Sequence, residues 1–274
     1  MEETIITSVQ NAKIKHVVAL QQKSSLRREE GLFVVEGQRE IEHCKACGYE
    51  VVETFWRKDE GERRKDISSS DILVTSQVYE KMAYRGSTEG VIAVVKRKEH
   101  TLSTIRSSFA GLQGKNYQLS TKNNPLVVVL ESVEKPGNLG AILRSAEAAG
   151  IDALIVCDPL TDMYNPNVIR ASIGGVFCVP TAVCSSQECI AFLKEHGIKI
   201  LTAQLQDSYE YYDYDMTQGT AIVMGTESTG LTNQWREAAD AHIRIPMLGR
   251  LDSLNVSVSA AILMYEAVRQ RNSK

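Results

Sequence analysis

Three short stretches in the second half of the sequence combine glycines with side chains that can orient a polar ligand. The first stretch carries Asn138 and, six residues later, Arg144. The second places Glu227 between Gly225 and Gly230, directly after an apolar run. Amide, guanidinium and carboxylate groups in loops predict a ligand site, because they recognise charged and hydroxyl-bearing groups and stabilise developing charge.

The third stretch reads as a strand, a polar loop and a helix. Its strand, Ile243 to Ile245, ends at Pro246, which has no N–H to donate to a sheet. Gly249 permits a tight turn, and Ser253 and Asn255 precede a segment with apolar residues at helical spacing. Many α/β proteins present backbone N–H groups to a ligand with this order of elements.

Each stretch also has a purely structural interpretation. Ser253 or Asn255 is explained as a helix N-cap, since Ser and Asn are favoured there. Asn138 is explained in the same way, with Arg144 as one polar position on an Ala-rich helix. An ordinary turn explains residues 225–230, which match neither a phosphate-binding Gly-Lys-Ser/Thr loop nor a dinucleotide fingerprint. The missing fingerprint argues against a nucleotide-binding oxidoreductase.

The three stretches lie in a region where short apolar runs alternate with helical patterns, which predicts a largely parallel sheet covered on both faces. The predicted strands are Leu126–Leu130, Ala153–Cys157, Phe177–Pro180, Lys199–Ala203, Thr220–Met224 and Ile243–Ile245. The predicted helices are Ala141–Ala149, Asn167–Ile173, Ser186–His196 and the segment from Val256 onward.

The front of the chain predicts a separate, smaller α/β unit. We assign residues 1–97 to this unit, 98–124 to a linker with a short helix near Leu102–Phe109, and 125–274 to the second domain. The first helix is predicted from Ser8 to about Leu20, with Ser8 as its cap. Further predicted elements are the strands 32–35, 51–56, 72–74 and 91–95, the helices 37–48 and 78–84, and a charged loop at 59–66.

Composition indicates an ordinary soluble globular protein, with 43% hydrophobic and 24% charged residues. No apolar run reaches the roughly 18 residues of a membrane span, and the acidic start lacks an export signal, so we expect a cytoplasmic protein. Cys44 and Cys47 form one isolated Cys-x-x-Cys pair, so we expect no metal. A net charge of −3 means that any nucleic acid must bind through local basic clusters.

Together the three stretches resemble the SpoU/TrmH family of RNA ribose 2′-O-methyltransferases, part of the SPOUT superfamily. The family motif Asn-x-Gly-x-x-x-Arg appears at 138–144, and Gly-x-Glu-x-x-Gly at 225–230. The third motif, Ile-Pro-Met-x-Gly-x-x-x-Ser-Leu-Asn-Val-Ser, appears at 245–257 without departure. More loosely, the first hundred residues resemble the small RNA-binding domain that precedes the catalytic domain in many members.

The resemblance implies a trefoil-knotted α/β catalytic domain, a homodimer with active sites at the subunit interface, and S-adenosylmethionine as cofactor. By resemblance the catalytic residues are Arg144, Asn138, Glu227, Ser253 and Asn255. The cofactor-binding residues implied in the same way are Thr202, Ala203, Gly225, Ile245, Met247 and Leu254.

The substrate implied by the family is structured RNA, with ribosomal RNA favoured over transfer RNA because a separate front domain suits a structured target. A non-catalytic RNA-binding or ribosome-assembly protein with the same fold is the alternative from another class. We expect an RNA-binding face on the small domain, against the alternative that these are scattered solvated charges. Its residues would be Lys13, Arg27, Arg28, Arg39 and Arg85.

Overall fold

The computed structural model describes residues 5–61, 71–84, 89–111, 124–226 and 228–273. Its contacts group the chain into two compact units. The first unit comprises Met1–Lys98 with Asp162–Cys178, and the second comprises Glu99–Thr161 with Val179–Lys274. The segment Asp162–Cys178 therefore packs with the first unit, although it lies within the second half of the sequence.

The first unit is built on a mixed four-stranded sheet. Its strands are β1 (Leu32–Glu36), β2 (Val51–Arg57), β3 (Asp71–Val74) and β4 (Val91–Lys96). The strand order is β1-β4-β2-β3, with β4 antiparallel to β1 and β2, and β3 parallel to β2. β4 is buried through five consecutive residues, as its apolar run predicts for a central strand.

Short helices cover this sheet. They are Ala12–Gln22, Ser24–Glu30, Gln38–Ala46, Lys58–Gly61, Ser76–Met82, Pro166–Ser172 and Gly175–Cys178. The first helix buries Ile14, Val17 and Leu20 in the apolar core of the unit. It begins four residues later than predicted because Asn11, not Ser8, is its N-cap: the Asn11 side chain accepts a hydrogen bond from the backbone N–H of Lys13 at 2.9 Å.

The second unit contains a seven-stranded sheet in which every pair of neighbours is parallel. Its strands are β5 (Leu126–Glu131), β6 (Ala153–Cys157), β7 (Thr181–Cys184), β8 (Lys199–Ala203), β9 (Tyr209–Glu210), β10 (Thr220–Met224) and β11 (Ala241–Arg244). The order across the sheet is β7-β6-β5-β10-β8-β11-β9. All residues of β5, β6 and β10 are buried, which explains their continuous apolar sequences and confirms the predicted parallel sheet.

Helices pack against this parallel sheet. They are Leu102–Gly111, Pro136–Ala149, Ser186–Glu195, Asn233–Ala238 and Val256–Asn272. Phe192, Leu193 and Trp235 join the core that contains Val127 and Val129 of β5. The helices Pro136–Ala149 and Val256–Asn272 pack against each other, and the second of them also contacts β5 and β10.

Two predictions in the second half of the sequence are wrong, and prolines explain both. The predicted strand Phe177–Pro180 is instead a helical turn, Gly175–Cys178, and the strand Thr181–Cys184 begins after Pro180, which cannot donate to a ladder. The helix predicted to begin at Ala141 begins at Pro136, whose fixed φ suits a first helical position. Asn138 therefore lies inside the first turn and is not the N-cap.

Part of the predicted linker has a defined place in the second unit. Residues Leu102–Gly111 form a helix, as predicted near Leu102–Phe109. Ile105 is fully buried in the core of the second unit, and the backbone N–H of Val183 in β7 donates to the carbonyl of His100. The described part of the linker thus packs on the parallel sheet. Within the described ranges, no helix has the length and apolarity needed to cross a bilayer.

Candidate active site

The predicted site residues follow four strands that are neighbours in the parallel sheet. β5, β10, β8 and β11 are adjacent and parallel, so their carboxyl ends lie at the same edge. Ligands bind at this edge in open α/β sheets. The polar residues that follow these strands in the sequence are therefore brought together by the register of the sheet.

A direct hydrogen bond joins the first and third predicted stretches. The amide Nδ2 of Asn255 donates to Oδ1 of Asn138 at 3.2 Å, across 117 positions in the chain. The same Asn255 side chain accepts from the backbone N–H of Ser257 at 3.0 Å and caps the helix Val256–Asn272. The capping interpretation is thus confirmed for Asn255, whose side chain also contacts Asn138, whereas Ser253 lies exposed in the loop and donates to Asp252.

The second stretch forms a closed loop beside this contact. Thr226 and Gly230 pair as an antiparallel bridge, and the Thr226 hydroxyl lies 2.8 Å from that of Thr229. A Cβ atom on Gly225 would lie 2.3 Å from the carbonyl carbon of Gly230, a backbone atom that cannot move without displacing the loop. Only glycine therefore fits at position 225 without distorting the loop.

A small cavity of about 100 Å³ lies where these loops meet. Its lining combines the residues after β5, the residues after β10 and the start of the last helix. The lining residues are Val133, Glu134, Lys135, Asn138, Gly225, Thr226, Ser228 and Val256. The cavity shows that the three stretches enclose a common space.

Arg144 lies on the exposed surface of the helix Pro136–Ala149. Within the part of the chain that the structure describes, no residue forms a hydrogen bond or ion pair with its guanidinium. Six helical positions separate it from Asn138, which corresponds to a rise of about 9 Å and a rotation of about 120° around the helix axis. The Arg144 guanidinium is therefore available to bind an anionic group.

The residues predicted to hold a cofactor lie at or after strand ends. Thr202 is fully buried, and its hydroxyl lies 2.6 Å from Nδ1 of its β11 neighbour His242, so its side chain is already engaged within the sheet. Ala203, Gly225, Ile245 and Met247 are half-buried, and Leu254 is exposed. The predicted catalytic residue Glu227 lies outside the described residues.

Glu131 is a structurally important residue that the sequence analysis did not select. It is the last residue of β5 and only 2% exposed, and its carboxylate accepts hydrogen bonds from the backbone N–H and the hydroxyl of Thr232, at 2.9 and 2.6 Å. The hydroxyl of Ser186 lies 3.3 Å from the same carboxylate. This network fixes the residues that follow the Gly225–Gly230 loop against β5. The sequence signal that could have predicted it is a carboxylate at the end of an otherwise apolar strand.

The predicted RNA-binding residues of the first unit differ in accessibility. Arg27 is buried, pairs with Asp162 at 2.6 Å and donates to the carbonyl of Leu20, so its guanidinium does not belong to a surface face. Arg28 and Arg39 are exposed. Arg39 lies 3.1 Å from Glu40, and Lys13 pairs with Glu53. Arg85 lies outside the described residues.

A parallel α/β sheet with glycine-containing and polar loops at the carboxyl ends of adjacent central strands is the arrangement in which open α/β proteins bind ligands. Comparison with known proteins gives the family. A match to the SpoU rRNA methylase family spans residues 125–265, and a match to the MRM3-like substrate binding domain spans residues 11–93. The chain belongs to the SpoU rRNA methylase family, as the three motifs indicated.

Several characterised proteins are similar over most of their length. The 23S rRNA (guanosine(2553)-2′-O)-methyltransferase RlmP of Bacillus subtilis is 27% identical over 263 residues, covering 95% of this chain and 97% of the relative. The 23S rRNA (guanosine-2′-O-)-methyltransferase RlmB of Vibrio vulnificus is 34% identical over 203 residues, covering 72% and 77%. The SpoU methyltransferase AviRb of Streptomyces viridochromogenes, solved with the cofactor AdoMet, is 27% identical with a TM-score of 0.82, covering 96% and 99%.

Replacing Glu131 with Gln should loosen the loop after β10. Glutamine keeps the size of the side chain but turns one acceptor toward the Thr232 and Ser186 donors into an N–H₂ group, which costs about 1–3 kcal/mol in a buried site. We expect faster amide hydrogen exchange over residues 225–232, measured by mass spectrometry. Glu147→Gln, at an exposed position on the helix Pro136–Ala149 that does not line the cavity, is the control. Equal exchange in the two variants would contradict the role assigned to Glu131.

Proposed function

We propose that this protein transfers a methyl group from S-adenosylmethionine to a ribose 2′-hydroxyl of ribosomal RNA. The observation that carries this proposal is the Asn255–Asn138 hydrogen bond, which joins the first and third family motifs beside the closed Gly225–Gly230 loop. The relatives named as 23S rRNA 2′-O-methyltransferases favour ribosomal RNA as the substrate. Transfer RNA is the alternative substrate of the same chemistry.

The residues at the carboxyl edge suit an adenosyl cofactor. Gly225 brings backbone close to the cavity without a Cβ, and the segments around Ile245 and Leu254 follow β11, which β8 separates from β10 in the sheet. We assign cofactor contacts to the backbone of Gly225, Ile245 and Leu254, with support from Thr202, Ala203 and Met247. When bound, S-adenosylmethionine supplies an electrophilic methyl group. The protein must align a ribose oxygen with that group, and orientation of this kind is worth about 7–11 kcal/mol of barrier.

Arg144 is the residue that we assign to the substrate anion. A guanidinium has a pKa above about 12 and stays charged, which makes it a poor base but a good fork for a phosphate. Arg144 would hold the phosphate next to the target ribose and stabilise negative charge that develops on the 2′-oxygen. Asn138 and Asn255, which already contact each other, would position the ribose. We assign Glu227 and Ser253 to the alignment of the same groups.

A homodimer with a knotted catalytic domain completes the proposal, and exposed apolar side chains support the dimer. They lie in the third loop and on the last helix. The residues are Leu248, Leu251, Leu254, Val258 and Tyr265. Leu248 is 98% exposed and Leu251 79%, and several large apolar side chains exposed within residues 248–265 favour an interaction site in this part of the chain. A dimer through this surface would place two cofactor loops at the interface. We expect the protein to act in the cytoplasm.

Arg144→Ala should reduce methyl transfer by about 10²–10³-fold, because one preformed charge is lost from the site. The measurement is transfer of labelled methyl groups from S-adenosylmethionine to unmodified 23S rRNA. Affinity for the cofactor, measured by calorimetry, should change little. Arg106→Ala removes another exposed guanidinium from the same unit and should leave transfer unchanged. Near wild-type turnover by Arg144→Ala would refute the assignment.

Gly225→Ala should weaken cofactor binding by about tenfold or more, because the added methyl group overlaps backbone of the loop and forces it to shift. Gly137→Ala is a matched control, since a Cβ there would meet no atom within 4 Å and the residue lies outside the segments assigned to the cofactor. Calorimetric titration of both variants with S-adenosylmethionine tests the difference. If both variants bind with the wild-type affinity, the loop at 225–230 does not contact the cofactor.

The exposed basic residues of the first unit should contribute to RNA binding. Replacing Arg28 and Arg39 with Ala should make the slope of log affinity against log salt concentration shallower by about 1–2, since two phosphate contacts are lost. Filter binding over a range of salt concentrations measures this slope. Removal of Arg106 and Lys199 from the second unit takes away the same charge and serves as the control. An unchanged slope in the Arg28/Arg39 variant would favour scattered solvated charges.

Leu251→Asp should convert the dimer into a monomer, because it places a charge at the centre of the proposed interface. Sedimentation velocity at micromolar concentration measures the change. Leu160→Asp alters an apolar residue of the same unit that is 64% exposed but is not part of the proposed interface. This variant should leave the dimer intact. A wild-type protein that sediments as a monomer would remove the dimer from the proposal.

A further inference from the structure

Three cysteines that are far apart in the sequence converge in the second unit. The sulfur atoms of Cys157, Cys184 and Cys189 all lie within 4.8 Å of one another. Over the described ranges, this is the one group of three or more His, Cys, Asp and Glu side chains close enough to share a metal ion. In the sequence only Cys44 and Cys47 have the spacing of a metal-binding pair, and nothing in the spacing of these three residues points to a common site.

The fold holds the three sulfurs from three different directions. Cys157 and Cys184 end the adjacent parallel strands β6 and β7 and are paired in register, so their side chains lie on the same face. Cys189 lies near the start of the helix Ser186–Glu195. A capping box fixes that start: the Ser185 hydroxyl accepts from the N–H of Glu188, and the Glu188 carboxylate accepts from the N–H of Ser185.

We infer that Cys157, Cys184 and Cys189 form a binding site for Zn²⁺. A tetrahedral zinc ion with Zn–S bonds of about 2.3 Å needs sulfurs about 3.8 Å apart, so the present arrangement has to contract by about 1 Å at most. Three thiolates select soft ions over magnesium or calcium. Binding releases the thiol protons to solvent, and the ion forms three Zn–S bonds and leaves the fourth position to a water molecule.

Charge favours a divalent over a monovalent soft ion. Three thiolates carry three negative charges, and the carboxylates of Asp158 and Glu188 act on Cys184 as further negative charges. Zn²⁺ leaves a smaller net charge than Cu⁺ in this partly buried place, and uncompensated buried charge is costly.

The burial of the three cysteines indicates a structural site with one entry. Cys157 and Cys189 have no exposed surface, whereas Cys184 is half-buried and gives the ion access from solvent. β7 is an edge strand of the sheet. An ion bound to all three sulfurs would tie β6, β7 and the helix Ser186–Glu195 together. It would stabilise this edge without taking part in methyl transfer.

The test is a titration of the full-length, fully reduced protein with Zn²⁺ against a chromophoric chelator. We expect one ion per chain, and with Co²⁺ as a probe a sulfur-to-metal charge-transfer band. Cys184→Ser should lower the affinity by about 100-fold or more, since even an outer residue of a metal site contributes 10–100-fold. The matched control is Cys47→Ser/Cys178→Ser, which removes the pair of sulfurs 3.0 Å apart in the first unit and should leave binding unchanged.

A second measurement, on the wild-type protein, tests the zinc site even if Cys184→Ser fails to fold. Alkylation of the wild-type protein, read by mass spectrometry with and without Zn²⁺, should show slower modification of Cys184 when the ion is bound, with no change at Cys178. Absence of stoichiometric Zn²⁺ binding by the wild-type protein would overturn the inference and leave the three cysteines as apolar packing groups. Binding abolished by the Cys47/Cys178 variant would place the ion in the first unit and overturn it equally.

Discussion

The parallel register of β5, β10, β8 and β11 is the constraint on which the rest of the structure depends. Because these four strands are neighbours and run in the same direction, the residues that follow them meet at one edge of the sheet. The fully buried runs of β5 and β10 hold that register through packing, since side chains on both faces of each strand must fit closely packed neighbours. Apolar packing in the sheet thus determines where the polar motifs lie.

Polar contacts then convert this convergence into a defined site. Asn255 both caps the last helix and reaches Asn138, so a single side chain couples the start of one helix to the first turn of another. Glu131 is buried at the end of β5 and holds Thr232, directly after the Gly225–Gly230 loop. Buried carboxylates are costly unless fully hydrogen-bonded, and the donors around Glu131 meet that requirement. Arg144 stays exposed on the helix Pro136–Ala149.

The parallel sheet and the three motifs could be predicted because their signals are local. Apolar β-branched runs predict buried strands, and Asn255 lies directly before a helical pattern. Features that depend on distant partners could not be predicted. From the sequence alone, Arg27 is expected to be a surface cation. In the structure it is buried in an ion pair with Asp162, which lies 135 positions away in the chain. The local signals also failed at the start of one helix, where a proline and the apolar periodicity gave different answers. The helix begins at Pro136, whereas periodicity alone predicted a start at Ala141.

A structure of the protein bound to S-adenosylhomocysteine tests the central claim most directly, namely that the carboxyl edge of the parallel sheet holds the cofactor. The adenosyl group should contact the backbone of Gly225, Ile245 and Leu254 at the ends of β10 and β11. Binding elsewhere would contradict the claim. The clearest contrary result would be occupancy of the larger cavity of about 280 Å³ that Arg39 lines in the first unit, with the carboxyl edge left free.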